Sequence, residues 1–178
     1  MREKNVKRFV GGALTLLFLI GLVGLVTVWL GLIGVNADGN HSKLEARIMP
    51  VALHSSVARQ ASRESNPVPV TEDSLKMAAT IYKANCSQCH GAPGGSPSLM
   101  GRSLYPPASQ LGDGLNEYTE AQVFWMVKHG IRNTGMPAWG ELLTDDSIWQ
   151  LASLLKNQQN LSPSVKAQLR PGGNRSAE

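Results

Sequence analysis

The only two cysteines of this 178-residue chain, Cys86 and Cys89, stand two residues apart, and a histidine, His90, follows directly. That spacing holds two thiols and an imidazole within one turn of chain, so any fold must be built around them. Three chemistries open to such a triplet fail on inspection. A structural zinc site takes four ligands, commonly from a second Cys or His pair, and the remaining histidines, His41, His54 and His129, form no such pair. A redox dithiol belongs in a β-α-β context, whereas the flanks here are helical in pattern or rich in Gly and Pro. A plain disulfide leaves His90 without a role. What remains is covalent haem attachment: each thiol adds across a vinyl group, and the adjacent histidine becomes the proximal ligand of iron.

The second constraint is an uncharged apolar run from Phe9 to Val35. As a helix it would span about 40 Å, more than the ~30 Å hydrocarbon core of a bilayer. Arg2, Lys4, Lys7 and Arg8 precede it against one acid, Glu3, which keeps residues 1–8 cytoplasmic and sends the remainder across the membrane. Trp29 suits an interfacial anchor. A cleavable leader ending near Val35-Asn36-Ala37 is the competing reading. Its apolar region would be typically ~7–15 residues, far shorter than this run, which favours an uncleaved single-pass anchor over 9–35. Haem attached by thioethers belongs on the exported side, so the expected location is the periplasmic face of a bacterial inner membrane.

Charge adds little beyond topology. The net +4 comes mostly from the first eight residues, and from Thr71 onward basic and acidic residues balance at nine each. With no basic run interleaved with aromatics, nucleic-acid binding is not expected.

Residues 36–70 are polar, poor in aromatics and end in Asn66-Pro67-Val68-Pro69-Val70, which reads as a flexible periplasmic tether. Within it, an amphipathic piece around Leu44 to Leu53 could rest on the membrane or dock on a partner. The folded head is expected over 71–161. Thr71-Glu72-Asp73 opens a helix with Leu75, Ala78, Ala79 and Tyr82 on one apolar face. Gly91 to Pro107 reads as a loop. Thr119-Glu120-Ala121-Gln122 is a capping box for a second helix carrying Val123, Phe124 and Val127 and ending near Gly130. A third starts at Thr144-Asp145-Asp146 and buries Ile148, Leu151, Ala152 and Leu155. Residues 162–178 are expected as a disordered tail. A head of this size has a thin core, so haem is expected to fill its centre.

The second axial ligand has several candidates. Met77 lies on the helix leading into the motif, Met100 in the loop after it, and Met126 at a helical packing position. Met136 stands in a loop between two helices, flanked by Gly135 and Pro137, and is the preferred ligand. His129 is the rival. Arg102, Tyr105 and Trp139 are candidate partners for the haem propionates.

Taken together, Cys86-Ser87-Gln88-Cys89-His90-Gly91, Tyr105-Pro106-Pro107, Lys128-His129-Gly130-Ile131-Arg132, Gly135-Met136-Pro137-Ala138-Trp139 and Ile148-Trp149-Gln150-Leu151-Ala152 resemble the monohaem class I cytochrome c family, in its membrane-anchored bacterial form. The resemblance covers about 71–161. It implies an all-α fold around one covalent haem c, with its first and last helices crossing and iron held between His90 and Met136. At the crossing, Ala78 or Ala79 and Tyr82 would face Trp149. It also implies that a proline carbonyl, from Pro97, Pro106 or Pro107, accepts the ring N–H of His90. The expected function is one-electron transfer without catalysis of its own, in a respiratory or related chain. A quinol-oxidising complex would be donor, and a terminal oxidase, reductase or reaction centre acceptor. Two alternatives are a permanent haem subunit of a larger membrane oxidoreductase and an open-site haem enzyme.

Overall fold

Most helix starts in this chain are written locally, as a hydroxyl residue that closes the first turn. The computed structural model describes residues 2–38, 42–61, 63–112 and 115–170, and among them every element of regular structure is helical. The chain divides into two units, Met1–Gly39 and Asn40–Glu178.

The first unit is one helix, α1 (Arg2–Trp29), with no buried residue. It is long and apolar enough to cross a membrane. It begins inside the basic flank, where Lys7 pairs with Glu3 at 2.7 Å, and ends at Trp29. The expected span of 9–35 is therefore helical only as far as residue 29.

The second unit contains α2 (Lys43–Gln60), α3 (Glu72–Asn85), α4 (Ser87–His90), α5 (Leu99–Ser103), α6 (Glu120–His129), α7 (Asp145–Lys156) and α8 (Pro163–Leu169). The three expected helices start where their caps place them. Thr71 and Thr119 each close a capping box, with Ser74 and Gln122 respectively, and Thr144 Oγ1 accepts from Ser147 N. α3 packs against α7 and α8, and α7 packs against α6. Ala78, Ala79 and Tyr82 of α3 share one core cluster with Trp149, Leu151 and Ala152 of α7. Phe124 of α6 stacks on Trp149, ring centroids 4.1 Å apart. The expected pairing of α3 with α7 is present as direct packing of the two helices.

Three expectations need correction. Most of the supposed tether is ordered. α2 packs against α6, and its Val57 is completely buried, with Leu53 and Ala61 one turn to either side packed on the same core. Beyond it, Asn66 Nδ2 donates to Glu120 Oε1 (2.9 Å) and to Ser153 Oγ (2.8 Å). The reason is a stripe of apolar residues at i, i+4 and i+8, followed by a side-chain latch. The chain also does not fray at 162. Ser162 caps α8, Pro163 occupies its first turn, and Val165 is completely buried; residues 171–178 lie outside the described residues. Finally, the loop 91–107 contains α5, whose N-cap Ser98 accepts from Gly101 N at 3.0 Å.

Candidate cofactor site

The end of α3 delivers the first thiol. Cys86 is its C-cap, and its carbonyl accepts from Cys89 N (3.1 Å) and His90 N (2.9 Å) to wind the single turn of α4. The chain then reverses onto the proximal loop. Tyr82 Oη donates to the Gly91 carbonyl at 2.9 Å, Ser98 Oγ donates to the Gln88 carbonyl, and Ser98 N donates to the Cys89 carbonyl at 3.1 Å. α5 lies against the motif at Gly101, where a Cβ would collide with the Cys89 carbonyl. Glycine is needed there for close backbone approach.

These turns place Cys86, Cys89 and His90 on the wall of one cavity of about 340 Å³, within the usual ~300–1,000 Å³ of small-molecule sites. Most of the wall is apolar, with Leu111, Val123, Val127, Leu151 and Leu155 among its residues. Burial, and next the neighbouring Cys89, pushes the Cys86 thiol up to about 11. Both thiols are free. Burial also raises the Tyr82 phenol, with Cys86 as a lesser cause. Among the described residues no three His, Cys, Asp or Glu side chains are grouped to hold a metal ion.

The ring of His90 is oriented through its Nδ1, which lies 2.8 Å from the Ser109 carbonyl. A backbone carbonyl only accepts, so Nδ1 carries the proton and Nε2 is left with its lone pair, as a metal ligand requires. The proline carbonyl implied by the resemblance is thus replaced by that of Ser109. Pro106 and Pro107 line the cavity without taking that role. Nothing in the sequence singles out Ser109, because the contact spans 19 positions.

The loop between α6 and α7 supplies the remaining thioether. α6 ends at Gly130, whose φ of +65° turns the chain back, and a Cβ there would stand 2.6 Å from Pro137 C. Ile131 N donates to the Met136 carbonyl (3.2 Å), Thr134 Oγ1 to the Ile131 carbonyl (2.7 Å), and Met136 N to Thr134 Oγ1 (3.0 Å). Met136 is half-buried, packs on the core and lines the cavity.

The other candidates stand differently to the same cavity. His129 is exposed at the end of α6, its ring 4.9 Å from that of Trp125, and it is not a wall residue. Met77 and Met100 are exposed. Met126 is buried and also reaches the wall. Of the suggested propionate partners, Trp139 lines the cavity, whereas Arg102 and Tyr105 are not among its wall residues. The wall also takes in Leu53 of α2, from the segment expected to be a tether.

The residues present fit a haem. Two free thiols, an imidazole with one nitrogen tied and one free, and a thioether share an apolar enclosure. Residues 73–155 match the family described as cytochrome c oxidase, cbb3-type, subunit III. This stretch is a class I c-type cytochrome domain. No curated protein matches the chain. The cytochrome domain implies haem binding and a haem-based role in electron transfer.

Proposed function

We propose that this chain is a membrane-anchored periplasmic cytochrome that passes single electrons, with one haem joined to Cys86 and Cys89 and its iron held by His90 and Met136. The observation that carries the reading is one apolar cavity with all four side chains on its wall. When bound, haem supplies a ferric/ferrous couple that exchanges one electron at a time. The protein's part is to hold and shield. The Ser109 carbonyl fixes the tautomer and orientation of His90, and the Gly130–Pro137 turn presents the Met136 thioether. The apolar wall excludes water and so favours the less charged reduced state.

α1 supports attachment to a bilayer, and the basic residues at its start, Arg2, Lys4, Lys7 and Arg8, support a cytoplasmic N-terminus with the cytochrome domain on the periplasmic side of a bacterial inner membrane. Donor and acceptor are then redox proteins of a respiratory or related chain: a quinol-oxidising complex on one side, and an oxidase, reductase or reaction centre on the other. A second reading, a permanent haem subunit of a membrane oxidoreductase, is favoured by the description of the matching family as an oxidase subunit. Co-elution of stoichiometric partners on purification from native membranes selects it over a free carrier.

The test of the ligand set is a redox titration followed by visible spectra on wild type, Met136→Ala and His129→Ala. Wild type should be low-spin with the weak red-edge absorption of methionine on iron. Met136→Ala should lose that band and His129→Ala keep it. A high-spin ferric wild type, or the reverse pattern in the variants, overturns the assignment.

A further inference from the structure

One residue of the cavity wall comes from outside the matched stretch, which begins at residue 73. Leu53 of α2 lines the cavity together with Leu111 and Leu115. One turn on, Val57 is completely buried in the core. Beside Leu53, the ring of His54 lies 5.5 Å from that of Tyr118. Past the helix, Asn66 grips Glu120 of α6 and Ser153 of α7, and its Oδ1 accepts from Val68 N at 2.8 Å. α2 is therefore held on the cytochrome domain at its C-terminal half and again just beyond its end.

We propose that α2 is a fixed shield over the haem cavity, with Leu53 setting the polarity of the wall it completes. This rests on the haem reading above for what the wall encloses. Leu53 acts through the environment it gives the iron and touches no reacting atom. The physical argument is dielectric. An apolar side chain in the wall disfavours the more highly charged ferric state and keeps water from the porphyrin, and both effects hold the potential up. Replacing it with an amide of similar length brings a dipole and water to the same place. The ferric state gains most from that change. The side chains of His90 and Met136 are themselves unchanged by the substitution.

The experiment uses the full haem-loaded chain in lipid nanodiscs, as wild type, Leu53→Gln and Leu53→Met. Leu53→Gln should titrate at a lower midpoint potential, and its reduced form should reoxidise in air several-fold faster. The methionine–iron absorption should stay in place. Leu53→Met, apolar and of similar volume, should return both quantities towards wild type, which a purely structural defect would not predict. Amide hydrogen exchange on wild type gives a second readout that needs no variant: the amides around Val57 should be protected to the level of α6. A Leu53→Gln potential equal to that of wild type overturns the proposal. So do Val57 amides exchanging at the rate of an unstructured chain in a haem-loaded protein, and that result leaves the haem reading standing. A chain without a haem spectrum overturns both.

Discussion

Val57→Ala asks directly whether α2 belongs to the folded domain. The side chain is completely buried, and the substitution removes two methyl-sized groups from the core. Transfer alone costs about 0.8 kcal/mol for each, so about 1.6 kcal/mol in all. Incomplete collapse of the void left between α2 and α6 adds to that, bringing the total to about 2 kcal/mol. At roughly 4 °C per kcal/mol for a unit of this size, the thermal midpoint should fall by about 8 °C. Val51, on the same helix but 66% exposed, is the internal control. There Val→Ala should stay within about 0.5 kcal/mol, since alanine is also the better helix former. The assay is urea denaturation of haem-loaded protein followed by the haem absorption band, with far-ultraviolet circular dichroism as a second probe. Equal midpoints for Val57→Ala and Val51→Ala would refute the reasoning, because they would mean that α2 lies free of the core whose cooperative unfolding is being measured.

Two further outcomes follow from the same packing. Gly101→Ala places a methyl group against the Cys89 carbonyl. The backbone has to give way, so a loss of about 1–3 kcal/mol and a lower yield of haem-loaded protein are expected; wild-type midpoint and yield would contradict the close approach. Glu72 accepts from Ser164 Oγ at 2.5 Å and pairs with Lys76 at 3.0 Å, and these two partners, Ser164 foremost, hold its carboxyl below the ordinary 4.5. A depressed folded value stabilises the docking of α8 above pH 4.5 and loses that effect as pH falls through the folded value. Hydrogen exchange at Val165 should therefore quicken in that acid window in wild type, and Glu72→Gln should remove the dependence. An unchanged pH profile in Glu72→Gln would disprove it.

What could be read from the chain alone was whatever chemistry is settled between near neighbours. Cys86, Cys89 and His90 lie within one turn. Thr71, Thr119 and Thr144 close their helices with residues three positions on. The apolar run of α1 is continuous in sequence. Met136 was marked out by Gly135 and Pro137 on either side of it, before any partner was known. Tertiary structure decided the rest, because those contacts join residues far apart. Ser109, not a proline, orients His90, since only the path of the loop after α5 determines which carbonyl arrives at Nδ1. α8 opens on a proline and buries a single valine completely, too small a signal to distinguish from a tail. α2 carries apolar residues on more than one side: Leu44, Ile48 and Val51 are exposed while Val57 is buried. Its sequence therefore does not say which side meets a core. Packing against α6 and the reach of Asn66 to Glu120 and Ser153 choose one side. That choice turns a supposed lead into a wall of the site.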